Sequence, residues 1–377
     1  MRELLIGTYL ILFKCFYQIF CLLPVQNKTL FWVTYGDNAK PINDRLQVQH
    51  AMEKRVLIYD MRYVDDVESW NVASALPNKK RYALRIAYLL ATSKMVFIDN
   101  YEPEFSAADV RKEARRAQVW HAAGTLKEFA LTAAKSRKLP LYIQERFRKT
   151  YRNYGDFIVP GNGCAELFAR AMDLDEDRFL YFGMPRTDYW FAKPDHTRQK
   201  LIEELDIKHD KVLLYAPTYR EYQWDIDQTL EALQPLTHIG WTVLIKLHPT
   251  VTIPNNQCYS EKLIFVDKRY SINDYLLVTD ALVTDYSSIP FEACLLDIPT
   301  FLYTPDYDKY DKEQGALEIY PSPLPVPATD QIDVLISWLT SEQILEENRE
   351  VLQTFKRIWY EESAGHATER IIDHYYK

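Results

Sequence analysis

The 377 residues, 47% of them hydrophobic, suffice for two buried cores and suggest two domains of an enzyme of ordinary size. The net charge of −8 conceals an asymmetry: residues 1–185 hold 27 Lys and Arg against 21 Asp and Glu, and the remainder holds 18 against 32. No nucleic-acid-binding motif accompanies the basic stretch Arg111–Arg152, so a bilayer with anionic lipid is a better candidate partner than nucleic acid.

In chain order, Glu3–Pro24 is an apolar run long enough, at about 1.5 Å per helical residue, to cross a bilayer. Lys14 stands in its middle, and Glu3, Gly7, Lys14, Gln18 and Cys21 share one stripe of the helical wheel. A charge at the bilayer centre costs at least about 2.5–3.5 kcal/mol, so the pattern predicts a monotopic amphipathic helix lying in the interface. A spanning helix, or burial inside the enzyme or an oligomer, are the alternatives; no small-residue cleavage site follows. Strands are predicted at Leu30–Thr34, Val56–Tyr59, Met95–Ile98, Ala117–Trp120, Phe157–Val159 and Phe179–Phe182. Between them Ser136–Tyr154 interleaves Arg and Lys with apolar residues, as a second membrane-facing helix or one that packs Leu141, Ile143 and Phe147 on the sheet. Pro194–Asp210 reads as a linker with the first helix of a second unit. Further strands follow at Val212–Ala216, Thr242–Lys246, Leu263–Phe265, Ala281–Thr284 and Thr300–Tyr303, and helices at Asp330–Tyr360 and Ala364–Tyr376 close the chain. The pattern divides the chain into an anchoring helix (1–25), an N-terminal domain (26–192) and a C-terminal domain (193–377). Strand–helix alternation implies parallel sheets with ligands at the carboxyl ends of the strands. Two such units suggest an α/β, GT-B-like pair of Rossmann-type domains facing a cleft. Cys15, Cys21, Cys164, Cys258 and Cys294 form no CxxC pair and no metal spacing, and read as reduced thiols facing the cytosol.

The richest stretch is Ala281–Leu302, where a strand runs into Thr284, Asp285, Tyr286, Ser287 and Ser288 and then a helix with Pro290 in its first turn. Ser288 reads as the helix cap, and hydroxyls with free N–H groups at a helix N-terminus favour an anion. VLLYAPTYR and VLIKLHP carry Arg220 and His248 to corresponding strand ends; Lys246 lies deeper and is the weaker candidate. In QVWHAAGTLK, His121 follows a strand and precedes Ala122, Ala123 and Gly124, small residues that admit a ligand close to the backbone. An imidazole with an ordinary pKa near ~6.5 can take a proton from a sugar hydroxyl at cellular pH. Thr125 and Lys127 are predicted to begin the next helix. Asp285 and Glu292 could orient a loop or meet a ribose hydroxyl. Each residue has a plain structural reading too: a capped turn, a surface ion pair for Arg220, a turn hydrogen bond for His248.

The order of these motifs decides between the readings. With YGDFIVPGNG (154–163) and FGMPRTDY (182–189), it resembles the CDP-glycerol glycerophosphotransferase family of wall teichoic acid biosynthesis, from roughly Phe31 onward. Polymerase-type members read WHGT where this chain reads Trp120-His121-Ala122-Ala123-Gly124-Thr125, a form more like the shorter, priming members. The resemblance implies the same GT-B-like fold, with the acceptor side in the N-terminal domain and CDP-glycerol in the C-terminal one. It implies His121 as general base, and Arg220, His248, Ser287, Ser288, Asp285, Glu292, Thr125 and Gly124 on the substrates. The implied reaction is transfer of glycerol phosphate from CDP-glycerol to an undecaprenyl-diphosphate-linked ManNAc-GlcNAc disaccharide, with release of CMP. The implied place is peripheral, at the cytoplasmic face of the membrane of a Gram-positive bacterium, beside other teichoic acid enzymes or in a homo-oligomer.

No Walker A sequence, GxGxxG, HExxH or Asp-rich cluster occurs, so no metal or cofactor is obligatory, while Mg²⁺ on the donor diphosphate remains compatible. The alternatives are a poly(glycerol or ribitol phosphate) polymerase of the same family, a GT-B glycosyltransferase or sugar-nucleotide epimerase, and last a non-catalytic membrane scaffold.

Overall fold

The computed structural model describes residues 2–64, 66–192, 194–207, 211–220, 222, 226–247, 259–267, 269–318, 320–360 and 364–377. The chain forms two compact units: unit 1 is Met1–His121, Phe129–Asp188 and Glu362–Lys377, and unit 2 is Ala122–Glu128 and Tyr189–Glu361.

In unit 1 the strands β1 (Gln26–Val33), β2 (Lys54–Tyr59), β3 (Ser74–Pro77), β4 (Ser93–Ile98), β5 (Arg115–Gln118), β6 (Asp156–Val159) and β7 (Phe179–Tyr181) form one sheet. Its order is β3-β2-β1-β4-β5-β6-β7, every pair parallel, with Leu30 of β1 opposite Val56 and Val96. Strands covered on both faces need apolar residues on both, which is why Leu30, Phe31, Trp32 and Val33 run together and are all buried. Phe31, Phe97 and Met95 pack with Ile42 and Leu46 of α2 (Ala39–Gln49) and with Ile371 and Ile372 of the last helix, Ala367–Tyr376.

The N-terminal helix α1 (Arg2–Phe20) ends earlier than predicted and has two apolar faces rather than one. Leu10, Phe13 and Tyr17 are buried, and the helix packs on α3 (Ala83–Thr92). Polar ties fasten the same side: Tyr9 donates to Glu104 (2.8 Å), Tyr17 to the Asp109 carbonyl (2.6 Å), Arg116 to Tyr17 (3.0 Å), and Arg146 to Glu3 (3.1 Å). Leu4, Leu5, Ile11, Leu12 and Ile19 are exposed on the other side, with Lys14 and Gln18 also in solvent. The predicted basic helix is Leu141–Arg152; it buries Ile143 and leaves Leu141 and Tyr142 exposed.

Unit 2 carries β8 (Lys211–Tyr215), β9 (Trp241–Ile245), β10 (Leu263–Phe265), β11 (Ala281–Thr284), β12 (Thr300–Tyr303) and β13 (Ala328–Thr329), ordered β10-β9-β8-β11-β12-β13 and all parallel. Leu213, Val243, Val283 and Phe301 meet Leu230 and Leu233 from one helix and Leu335, Leu339 and Leu345 from the closing helices. The predicted helix Asp330–Tyr360 is two, Ile332–Leu339 and Glu342–Tyr360. Each sheet with its helices is a Rossmann-type unit, and the architecture is α/β of the GT-B-like class.

Candidate functional site

In unit 1 the site gathers at the carboxyl ends of β4 and β5. Asp99, just past β4 and fully buried, accepts the backbone N–H groups of Thr34 (2.7 Å), Tyr35 (2.9 Å) and Gly36 (2.7 Å) beyond β1. Burial pushes its carboxyl up to about 6, against those three hydrogen bonds. Its backbone carbonyl lies 2.8 Å from His121 Nδ1. A carbonyl only accepts, so Nδ1 carries the proton and the Nε2 lone pair is the basic position. The ring stands against Tyr35 (4.8 Å between centroids) and stacks on Trp120 (4.6 Å, 23°).

Trp120 itself adopts φ +46°, the left-handed region that a bulky residue enters only under constraint. The constraints are visible: its N–H donates to Gln118 Oε1 (3.0 Å), and its carbonyl accepts from Asn38 Nδ2 (2.9 Å). The strained residue turns the chain sharply after β5 and aims the imidazole. Asp99, Asn38 and Trp120 escaped the sequence reading; Asp99, a lone carboxylate ending an apolar strand, was the one available signal.

The segment after His121 is not a helix. Residues 122–128 belong to unit 2, where Lys127 forms an antiparallel bridge with Ala316 and Trp359 Nε1 donates to the Ala123 carbonyl (2.9 Å). The Thr125 hydroxyl bonds the Lys127 backbone instead of capping a helix (2.7 Å to the carbonyl, 3.2 Å from the N–H). Gly124 lies against Phe291: a Cβ there would come within 2.5 Å of the ring. Phe291 belongs to the helix Ile289–Ala293, so the small residue fixes the segment beside the Ser287–Ser288 turn.

In that turn the roles of the two serines differ from the prediction. Ser288 occupies the cap position but its hydroxyl makes no cap bond; Ser287 Oγ accepts the Ile289 N–H at 3.2 Å. The helix is one turn and continues as a 3₁₀ turn, Cys294–Leu296. Glu292 is buried and accepts from Asn273 (3.0 Å). Asp285 orients loops: it accepts the N–H groups of Thr218 (2.9 Å) and Tyr286 (2.6 Å) and pairs with Arg220 (2.9 Å).

Arg220 does not present open donors, contrary to the sequence expectation. It is buried, and its fork grips Asp306 through Nε (2.8 Å) and Nη2 (3.1 Å), while Nη1 donates to the Thr218 carbonyl (2.6 Å). Burial works against its charge, but Asp285 and Asp306 outweigh that and hold it above the ordinary arginine range. The guanidinium also lies over Tyr286 and Tyr310, which stack at 3.5 Å, and Tyr222 donates to Asp306 (2.7 Å). A cavity of about 680 Å³ opens beside Asp306, Tyr307, Tyr320 and Thr329 at the carboxyl ends of β12 and β13. His248 lies outside the described residues, and Lys246 donates to the Asp267 carbonyl. Among the described residues no three His, Cys, Asp or Glu gather as a metal site.

The chain can be set beside known proteins. The family model described as CDP-glycerol:poly(glycerophosphate) glycerophosphotransferase matches residues 15–377. A teichoic acid glycerol-phosphate primase of Bacillus subtilis (strain 168) is 27% identical over 99% of this chain and 97% of that protein. A teichoic acid ribitol-phosphate primase of Bacillus spizizenii is 28% identical over 93% and 92%. The wall teichoic acid polymerase TagF superposes with a TM-score of 0.74 at 20% identity, covering 99% of this chain and 96% of that one; a variant of it has been soaked with CDPG.

Proposed function

Because the chain belongs to the CDP-glycerol:poly(glycerophosphate) glycerophosphotransferase family, and is thus a transferase of teichoic acid biosynthesis, we propose that it performs a priming step. It moves one glycerol phosphate from CDP-glycerol to an undecaprenyl-diphosphate-linked ManNAc-GlcNAc disaccharide and releases CMP. The observation that carries this is the Asp99–His121 arrangement, in which the Asp99 carbonyl takes the Nδ1 side of the ring, so that the neutral imidazole has its basic nitrogen at Nε2, as a general base for an acceptor hydroxyl requires. Unit 2 would hold the donor around the Ser287–Ser288 turn, with His248 on the next strand end as the sequence suggests. Arg220 and Asp285 would shape that loop cluster rather than touch the diphosphate. The WHAAG form of the His121 motif supports a primase over a polymerase.

The exposed apolar side of α1, a helix tied through Glu3 to Arg146 of the basic helix Leu141–Arg152, supports peripheral attachment at the cytoplasmic face of the membrane, where a lipid-linked acceptor would be met.

The test is donor choice followed by product size. Purified protein is incubated with the lipid-linked disaccharide and CDP-glycerol, CDP-ribitol or a UDP-sugar. CMP release with CDP-glycerol alone, and a single added mass of glycerol phosphate, is expected. CMP release with CDP-ribitol moves the assignment to ribitol, long ladders make the protein a polymerase, and release from a UDP-sugar makes it a glycosyltransferase or epimerase.

A further inference from the structure

With Arg220 committed to two carboxylates, a diphosphate bound on unit 2 needs another cation. Lys127 is a described residue that fits. Its backbone is fixed within unit 2 by the bridge to Ala316, by Glu128 N–H to the Gly315 carbonyl (3.2 Å) and by Leu317 N–H to the Leu126 carbonyl (3.3 Å). Three residues earlier, Gly124 packs on Phe291, the third residue of the helix that follows Ser287 and Ser288. Its ammonium lies close enough to Asp285 and Arg220 to feel the charge of both. Among the described residues its Nζ has no hydrogen bond and no ion pair, so its donors are not spent as those of Arg220 are. Burial, partly offset by Asp285, lowers its proton affinity, a cost that an arriving anion would relieve.

We propose that Lys127 is the side chain that binds the diphosphate of the nucleotide donor, a role that Arg220, paired with Asp285 and Asp306, does not take. This rests on the donor being a nucleoside diphosphate derivative, as in the function proposed above. A lysine serves such a role as a mobile point charge with three donors, where a buried arginine fork serves better as a fixed brace.

The experiment compares Lys127→Met and Lys127→Arg with the unmodified protein. A charge-assisted contact to phosphate predicts a rise of about 10–100-fold in KM for CDP-glycerol in Lys127→Met, and a similar loss in inhibition by CDP. Inhibition by cytidine, which has no phosphate, should stay within about twofold, and Lys127→Arg should recover most of the CDP affinity. If Lys127→Met does not fold, Lys127→Gln carries the same comparison. Unchanged KM and CDP inhibition, or equal weakening of CDP and cytidine, overturns the assignment. If the unmodified protein does not use CDP-glycerol at all, the proposed donor is wrong. CDP binding by calorimetry then decides on Lys127 by itself: weaker binding in Lys127→Met upholds the diphosphate contact, and unchanged binding overturns it.

Discussion

At the residue scale, the Asp99 carbonyl selects the imidazole tautomer while the Asp99 carboxylate ties the 34–36 turn beneath the same ring. Replacing His121 with Ala should cut the chemical step by at least ~10²-fold while CDP-glycerol still binds, as single-turnover assays and calorimetry would read. Asp99→Asn cannot accept all three backbone N–H groups and should cost about 1–3 kcal/mol in a urea unfolding curve. It also has a pH signature. Because burial raises the carboxyl to about 6, the folded chain holds a proton here that the unfolded chain has already released. The stability this group contributes is therefore full below the ordinary carboxylate range near ~4 and is lost as pH rises through about 6. Unmodified protein should accordingly exceed Asp99→Asn in stability by more at pH 4 than at pH 7. His121 was legible in the sequence through the resemblance of its motif to the family, since a lone histidine after a strand is more often structural. The partners were not: Asp99 reaches back 65 residues to Thr34, and Arg220 meets Asp306 86 residues on. No local spacing encodes pairings of that range, so an arginine that reads as exposed to a ligand is found paired with two carboxylates.

At the scale of elements, the packing of α1 and its proposed membrane role can be tested separately, which deletion of residues 1–25 would confound. Phe13 is fully buried, and Phe13→Ala should cost unit 1 about 3–5 kcal/mol in a denaturation curve, with little effect on lipid binding by whatever remains folded. Ile11→Gln with Leu12→Gln and Ile19→Gln changes only exposed positions. That triple variant should keep its melting temperature but release the protein from anionic vesicles in a sedimentation assay. High salt should release it further, since charges beyond roughly 8–10 Å are screened. Binding that survives both changes would remove α1 as the anchor. The polar stripe of this helix could be read from the wheel, whereas the division of its remaining apolar residues into an inward and an outward face could not, because both are Leu, Ile, Phe and Tyr. Central strands were legible as apolar runs. The outer strands β3 and β13 were not: Ser74–Pro77 ends in proline and Ala328–Thr329 is two residues long, so neither leaves a pattern.

At the scale of the whole molecule, alternating strands and helices made the two Rossmann-type units readable, but not the path of the chain through them. Residues 122–128 leave unit 1 for unit 2, and the chain comes back to unit 1 at Glu362. Either unit expressed as one uninterrupted fragment, 1–188 or 189–361, should therefore be insoluble or partly folded, as proteolysis and circular dichroism would show. Adding a peptide of residues 364–377 to the first fragment should restore some protection. The returning helix also sets a clock on biosynthesis. Ile371 and Ile372 close a core whose strands and α2 are complete by residue 188. At about 5–20 residues per second, a ribosome leaves that apolar face uncovered for roughly 10–40 s. Through that interval the open apolar face is prone to aggregation, and any stall within unit 2 lengthens the exposure of a sheet that is otherwise finished.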